Sequence, residues 1–588
     1  MVRSGCPLLP ITHTRTATNT RIILVPYRQS PSQNNPLPMP SRRAFLASSS
    51  ASLFAQNPPA WDVIVYGATP AGIAAALSAS RSARVLLIEP TARLGGMVTS
   101  GLSHTDFRTF ESLSGHYLAF SQRVLAHYRN TYGPSSPQAR DCFRGTSAEP
   151  KVNLAIFEQM LAEKSNITVR KNAPLADVAA PGTSLLRIRL EGDSAAISAP
   201  ISARIFVDAT YEGDLMAAAG VPFRVGREAR SEYNESLAPL QADQQLQGYN
   251  FRLIATREPA NRVYPTQPAG YRREDFVQVL ALLNDGRLKG IFGYPNDFIY
   301  KAQIPQLPNG KYDINDVSNC AVRLSLPGEN LGWPTGDAHT RARIFAQHLL
   351  WNTGLLWFLQ NDPAVPARWR EEARQWGWCR DEFPETQHLP PQLYVREARR
   401  MHGRRVYTEA DSSHAPGDAR TVLHPDAIAM GDYGNNCHGT AHTGPRIGGK
   451  HTGEFYRRVA PYQIPYGILL APNLDNLLVP GAVSASHVGF CALRLEPIWM
   501  SLGQAAGAAA ALSLETQTPL SVLNTSSLQR RLWREGSATT YFSDIPPSHP
   551  DFFRLQAFAS LGAFHGLHPT PADANLRGKN IEGQYFEA

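Results

Sequence analysis

Cysteine is scarce in this chain of 588 residues: there are six, and none forms a CxxC pair. Cys6, Cys142, Cys320, Cys379, Cys437 and Cys491 stand far apart. That spacing excludes a ferredoxin-type iron–sulfur module and a zinc ribbon, which need ligands at short, fixed intervals. Cys437 and His438 are adjacent, but two ligand types without further partners do not make a metal site, and none is expected. Long apolar runs are also missing. No stretch of about 18 apolar residues occurs, so no stable membrane span is expected. Negative charge is absent from the start of the chain, where no Asp or Glu precedes Asp62, while Arg3, Arg15, Arg21, Arg28, Arg42 and Arg43 all do. With 57 basic and 49 acidic residues overall, the net charge of +8 falls to +2 once those six arginines are set aside. A nucleic-acid partner needs a basic face on the folded part, so that class is excluded. Apolar residues are plentiful at 43%, with 9% aromatic, which excludes disorder for most of the chain.

The leader carries a signal of its own. Ser41-Arg42-Arg43-Ala44-Phe45-Leu46 is a twin-arginine pair leading into a weakly apolar stretch, Ala44 to Ala55, rich in Ser and Ala. It is too short and too polar to span a bilayer, and it resembles a Tat export signal. The resemblance implies passage through the Tat translocon and a periplasmic or other extracytoplasmic destination. It also implies cargo that folds before export, often around a cofactor. Met39, two residues before the motif, offers an alternative start, with residues 1–38 upstream of it; Ala55 and Ala60 suit cleavage.

After the leader, Trp61-Asp62-Val63-Ile64-Val65-Tyr66 reads as a buried strand, Ile73 to Ser80 as an alanine-rich helix, and Arg84 to Glu89 as a second strand. This βαβ unit opens a parallel sheet. Its turn is Gly67-Ala68-Thr69-Pro70-Ala71-Gly72. Gly67 permits the tight turn and Gly72 lets helix and sheet pack closely, while Thr69 stands where a dinucleotide turn usually has its middle glycine. Thr69 suits the N-cap and Pro70 the first helical position, so the helix still offers free N–H groups and its dipole to a diphosphate. Glu89, 22 residues after Gly67, is placed for ribose hydroxyls. Further strands are expected at Leu185 to Leu190, Ala203 to Asp208 and Asn476 to Val479, and a small-residue helix at Pro497 to Leu512. No second GxGxxG unit is present, so no separate nicotinamide domain is expected.

Glu89-Pro90-Thr91-Ala92-Arg93-Leu94-Gly95-Gly96 resembles the extended ExxxxxGG motif of glutathione-reductase-like flavoproteins, in which glycines let the chain cross close to the cofactor. Together with FVDATYEGD, LYVREARRM and LVPGAVSASHVGF…LEPIWMSLGQAAGAAAAL, these segments resemble the FAD-dependent oxidoreductase family that includes the flavoprotein component of the heterodisulfide reductases. The resemblance spans most of residues 61–515. It implies an α/β fold: a glutathione-reductase-like FAD/NAD(P)-binding Rossmann domain with an inserted mixed α+β substrate domain. On this reading residues 1–60 are the leader, 61–214 the first part of the FAD-binding domain, 215–455 the substrate domain, 456–515 the last part of the FAD-binding domain, and 516–588 a helical appendage. The resemblance implies FAD contacts from Gly67, Ala68, Thr69, Pro70, Ala71, Gly72, Glu89, Arg93, Gly95 and Gly96. It adds Asp208, Ala209 and Thr210 at the end of a strand, Gly481 under the flavin, and Glu496 at a helix N-terminus facing the pyrimidine end. Asp214 is placed to cap the helix after FVDATYEG.

A flavin performs the redox chemistry, which leaves the protein to position substrate and manage one proton. His104, with Asp106 as an orienting partner, and His487 are the two candidates for that proton, each by its proximity to a cofactor segment. Arg494 and Glu496 either bind substrate or pair with each other. Arg396, Glu397, Arg399 and Arg400 form a charge run that reads as a solvated or salt-bridged helix face, or as a holder of an anionic substrate. Trp333, Trp351, Trp357, Trp369, Trp376 and Trp378 read as helix-core packing or as faces for flat ligands. Phe542 to Gly566 resembles one S-layer homology repeat and reads as a helical appendage. The expected function is hydride transfer between flavin N5 and a small organic substrate, with an electron acceptor or donor of unknown identity. Two alternatives stand beside it: an electron-transfer flavoprotein of heterodisulfide-reductase type, and an exported carbohydrate-binding or surface protein on a nucleotide-fold scaffold.

Overall fold

The computed structural model describes residues 61–192, 197–316 and 319–567. The twin-arginine leader, the alternative start at Met39 and both candidate cleavage positions lie outside the described residues. In the first strand, β1 (Trp61–Tyr66), Val63 to Tyr66 are buried, as a central parallel strand covered on both faces requires. Helix α1 (Pro70–Ala79) follows, buried throughout, and β2 (Val85–Ile88) closes the βαβ unit. Two helices, α2 (Gly115–Tyr132) and α3 (Pro150–Ala162), precede β3 (Ile167–Arg170), the hairpin β4 (Leu175–Ala179) and β5 (Arg187–Leu190), and the long strand β6 (Ile201–Asp208). Then come β7 (Leu253–Thr256), β8 (Arg262–Val263), β9 (Gly290–Gly293), β10 (Phe298–Ala302), β11 (Lys311–Asn315), helix α4 (Ala338–Asn361) and β12 (Gly377–Cys379). The short strand β13 (Leu477–Leu478) leads to α5 (His487–Leu493) and α6 (Glu496–Thr516).

The first sheet runs β3-β2-β1-β6, all parallel. Beyond β6 its outer edge is shared. The start of β6 pairs antiparallel with β5, and its end pairs parallel with β13, Leu477 opposite Phe206 and Leu478 opposite Val207. A strand from residue 477 thus completes a sheet begun at residue 61. Helix α6 closes the same unit by lying on α1 at backbone distance: a Cβ on Gly503 would sit 2.0 Å from the Ala71 carbonyl oxygen, and one on Gly507 2.2 Å from that of Ala75. The alanine and glycine content of both helices is therefore a packing requirement, since larger side chains would hold the axes apart.

The second sheet, β9-β10-β11-β7-β12-β8, comes wholly from residues 253–379 and is antiparallel except at β9–β10. The resemblance implies a mixed α+β domain here but places none of its strands. The region holds a sheet of strands two to five residues long, a helix of 24 residues and shorter helices such as Val279–Leu282 and Ala367–Arg374. Such short strands show too few alternations for their period to be read. Trp351, Trp369, Trp376 and Trp378 are buried in the core. The indole N–H groups of Trp351 and Trp369 donate to the carbonyls of Arg323 and Leu283, and Trp376 stacks on Phe292 at 4.4 Å. These four faces are used internally and are not open to a flat ligand.

The run Arg396–Arg400 is not a solvated helix face. It is extended and buried, with Arg396, Glu397 and Arg400 each at most 1% exposed. Asp214 also departs from expectation. Gly213 occupies the cap position of the helix Asp214–Ala218, and the Asp214 carboxylate pairs with Arg341 and Arg399 at 2.7 Å. In the C-terminal segment, the helix Phe552–Ser560 packs Phe552 and Ala559 into a small apolar cluster with Trp533 and Met430. Cys142, Cys320, Cys379, Cys437 and Cys491 are all free and buried.

Candidate cofactor and active site

The dinucleotide turn has the geometry its residues suggest. Gly67 has φ +93°, and a Cβ there would come within 2.8 Å of the Thr210 nitrogen; a Cβ on Gly72 would lie 1.8 Å from the Gly67 carbonyl oxygen. Glycine is therefore obligatory at both positions. Thr69 is the N-cap of α1, with Pro70 in the first helical turn. Its hydroxyl accepts from the Gly72 N–H at 3.3 Å and donates to the Ala209 carbonyl at 2.7 Å. One side chain thus performs a local capping role and ties the turn to the end of β6. We expect Thr69→Val to lose both bonds and about 1–2 kcal/mol of stability. Urea unfolding together with flavin retention on gel filtration checks this, and an unchanged midpoint would show that the cap is dispensable.

Glu89 ends the second strand with its carboxylate folded onto the turn. Oε2 accepts from the Ala68 N–H at 2.9 Å, and Oε1 accepts from the Thr91 N–H and hydroxyl at 2.9 and 2.7 Å. Burial raises its pKa, and the Thr91 and Ala68 bonds oppose that rise. A carboxylate offers about four lone-pair directions, so a ribose hydroxyl can still be accepted beside these bonds. Arg93 donates through Nε to the Thr99 carbonyl at 2.8 Å, pairs with Glu385 at 3.1 Å, and stacks over Phe383. Gly95 and Gly96 both have positive φ, +88° and +50°; a Cβ on Gly96 would lie 2.4 Å from the Tyr211 hydroxyl.

The end of β6 is an internal organiser. Asp208 is fully buried and accepts from the Thr210 N–H and hydroxyl at 3.0 and 2.7 Å and from the Met216 N–H at 2.7 Å. Burial pushes its pKa up to about 6 against those three bonds. Its side chain shapes the loop, whereas Ala209 and Thr210 form the surface against which the glycines close. Gly481 packs there too, since a Cβ would lie 2.3 Å from the Thr210 carbonyl oxygen. Segments near residues 67, 96, 210 and 481 therefore converge.

The first turn of α6 supplies the other end. Glu496 is buried, and its Oε1 accepts from the Tyr211 hydroxyl at 2.9 Å; the same hydroxyl accepts from the Met97 N–H at 3.1 Å. Among the described residues, Glu496 Oε2 and Trp499 Nε1 are buried polar atoms without a partner, and the Trp499 ring lies 4.9 Å from that of Tyr211. Burial lifts the Glu496 pKa to about 8, so it is largely a neutral acid near pH 7. Two orphaned polar atoms beside the Gly95-Gly96 crossing fit a heterocycle edge that both donates and accepts hydrogen bonds, as a flavin pyrimidine does. Tyr211 and Trp499 were not singled out from the sequence, although both lie inside quoted motifs.

His104 follows α1 and β2 on a loop docked onto the second sheet. The Ser103 and His104 N–H groups donate to Asp313 Oδ2 at 3.1 and 2.9 Å, and Arg252 holds that carboxylate in a bidentate pair at 2.7 and 2.6 Å. His487, at the start of α5, is 1% exposed. Its Nδ1 lies 2.9 Å from a Glu397 oxygen, and its Nε2 lies 3.4 Å from Cys437 Sγ. Burial opposes charge on the ring, but Glu397 and Cys437 outweigh it and raise the His487 pKa to about 10. Glu397 also pairs with Arg400, which in turn pairs with Glu228, whose second oxygen takes the His487 N–H. The charge run and the SASHVGF segment are thus one buried network, a long-range pairing that no local spacing announces.

Two groups bring potential metal ligands together. Cys437, His487 and Cys491 offer atoms within 4.8 Å of one another. Glu149, Asp381 and Glu382 do so as well, but all three surround the Lys311 ammonium at 2.6, 2.8 and 2.8 Å, which fills the cation position. The Cys437 thiol meets the His487 ring and the Cys491 side chain, and reaches its neighbour His438 only at the backbone carbonyl, 3.2 Å away.

The FAD dependent oxidoreductase family model matches residues 62–532. No curated protein matches the chain in sequence. Solved structures similar to parts of it include p-nitrophenol 4-monooxygenase PnpA from Pseudomonas putida DLL-E4, 14% identical over 54% of this chain and 66% of that one, TM-score 0.27. Others are L-proline dehydrogenase from P. horikoshii, 18% identical over 26% and 22%, TM-score 0.16, and glycerol-3-phosphate dehydrogenase from Bacillus halodurans complexed with FAD, 11% identical over 27% and 36%, TM-score 0.19. The chain spans less than two thirds of the length of each of these. With its glycine turn, the buried carboxylate after its second strand and the family match over most of its length, the chain belongs to the FAD dependent oxidoreductase family and is an α/β oxidoreductase with FAD as cofactor.

Proposed function

We propose that the enzyme transfers hydride between the flavin and a small organic substrate, and that it is exported folded through Tat to an extracytoplasmic compartment. The observation that carries the redox reading is the pair of orphaned buried atoms, Glu496 Oε2 and Trp499 Nε1, beside the Gly95-Gly96 crossing. When bound, the flavin accepts or donates a hydride at N5. The chain's own contribution begins with the capped N-terminus of α1, whose dipole favours negative charge. Glu89 is available to the ribose, and the neutral Glu496 acid can donate a proton in a hydrogen bond where a carboxylate cannot. His104 sits on a loop fixed by Asp313, in keeping with proton handling at the substrate. His487, engaged at both ring nitrogens, suits the positioning of Glu397 and Cys437 better than proton exchange with a ligand. In the absence of a second dinucleotide motif, electrons enter or leave through the substrate, oxygen, a quinone or a protein carrier.

The test is a visible absorption spectrum of protein recovered from the periplasmic fraction, before and after anaerobic reduction. We expect flavin bands that bleach. A colourless protein that also fails to take up added FAD would overturn the redox reading. Coloured protein confined to the cytoplasm would overturn the export reading alone.

A further inference from the structure

Two arginines in the interior lack the counter-charge that such burial demands. Arg396 is fully buried and Arg494 is 1% exposed. Among the described residues, neither has a carboxylate within ion-pair distance. Arg396 donates only to the Gly248 carbonyl and the Asn250 side-chain oxygen, and its Nε–H has no partner. Arg494 donates to the Asn436 carbonyl at 2.7 Å and to the Tyr394 hydroxyl at 3.2 Å. Tyr394 joins the two, since the Arg396 guanidinium lies 4.4 Å from its ring centroid. The acidic groups facing the pair do not neutralise it. Asp316 is bound by Arg323 at 2.9 Å, Asp313 is bound by Arg252, and Asp106 stands outside ion-pair distance. His438, whose Nδ1 is also buried without a partner, is held neutral by burial and by the charges of Arg396 and Arg494.

A buried guanidinium with only neutral acceptors is strongly unfavourable, and two beside one tyrosine more so, because each raises the cost of the other's charge. Four further buried arginines show a paired alternative: Arg252, Arg323, Arg399 and Arg400 each hold a carboxylate at 2.6–2.9 Å. Arg396 and Arg494 break that pattern on the two segments that border the cofactor region, the first one residue before Glu397 and the second two residues before Glu496.

We infer that Arg396 and Arg494 form an anion-recognition subsite, and that the substrate of the proposed oxidoreductase carries a carboxylate that binds there. A planar carboxylate matches the open Nε edge of one guanidinium and accepts from a second donor beside it. The inference rests on the redox reading for the word substrate; the anion site itself does not.

The test uses the holoprotein and three probes at equal ionic strength, namely malonate, benzoate and inorganic phosphate, with chloride as the reference. Melting temperature reports binding whether or not flavin is present, and the flavin absorption spectrum reports its proximity. We expect malonate or benzoate to raise the melting temperature by several degrees and to perturb the flavin bands, with phosphate well behind. Arg396→Met should melt no lower than the parent in chloride, because it removes an uncompensated charge, and should lose the carboxylate response. Arg396→Lys, which keeps the charge but not the fork, should weaken the response at least tenfold. An absent response in the parent protein, or an equal response to phosphate and chloride, would overturn the inference, as would a response retained by both variants. The inference would also fall if both variants left the carboxylate response intact while shifting the flavin midpoint potential, since the arginines would then serve the reduced cofactor. A carboxylate response in colourless protein would support the anion site and count against the redox reading alone.

Discussion

Gly503→Val is expected to cost about 3 kcal/mol or more in stability and to abolish flavin retention, because residue 503 packs against the backbone of Ala71 in the glycine-bordered turn. The Cβ introduced at this position would lie 2.0 Å from the Ala71 carbonyl oxygen and 2.6 Å from its carbon. Both are backbone atoms of α1, so neither can swing aside as a flexible side chain would. The helices must separate, and α1 carries with it the Thr69 cap, the Thr69–Ala209 bond and the N-terminus proposed to receive the diphosphate. Urea unfolding and the ratio of flavin to protein absorbance measure the two losses in one preparation. A variant that unfolds earlier but keeps its flavin would show that α1 tolerates displacement, which would detach cofactor binding from helix packing.

The second large effect concerns Glu496. Its folded-state pKa of about 8 lies above the ordinary carboxylate value of 4.5. Between these values the native state keeps a proton that the unfolded chain has lost, so the contribution of this group to stability falls as pH rises through that window. The slope is about 1.4 kcal/mol per pH unit. Glu496→Gln preserves the size and the acceptor for the Tyr211 hydroxyl but has nothing to titrate. The variant and parent should therefore be close in stability near pH 5, and the variant should be increasingly the more stable towards pH 8. Asp208, lifted to about 6, slopes the same way over a lower range and is common to both proteins, so it cancels in the comparison. Urea midpoints at pH 5, 6, 7 and 8 test this. Parallel curves would mean that Glu496 is ionised throughout, and the role assigned to its neutral acid would fall with them.

Much of the cofactor end was legible from residues alone. β1, α1, β2, β6 and α6 all appear where apolar runs, capping residues and small-residue content placed them, with ends shifted by a few residues. Thr69 caps the helix as its side-chain chemistry suggests, in place of a glycine. The second sheet was not legible, because its strands are two to five residues long and interrupted by Pro, Gly and Arg. The charge run at Arg396–Arg400 misled for a related reason. Charged residues in sequence are normally on a wet surface, and for Glu397, Arg399 and Arg400 only the distant partners His487, Asp214 and Glu228 make burial tolerable.

Local chemistry was set by neighbouring residues: a glycine-bordered turn, a helix cap, a carboxylate after the second strand and two helices rich in alanine and glycine. These depend on interactions within a few residues, where φ, side-chain size and capping act directly. Tertiary structure alone decided which segments meet. It set Leu477 beside Phe206, Gly481 beside Thr210, Tyr211 beside Glu496, and Glu397 beside His487. It also decided which buried groups stayed neutral, paired or uncompensated, because the cost of a charge depends on the solvent and partners that the completed fold leaves around it.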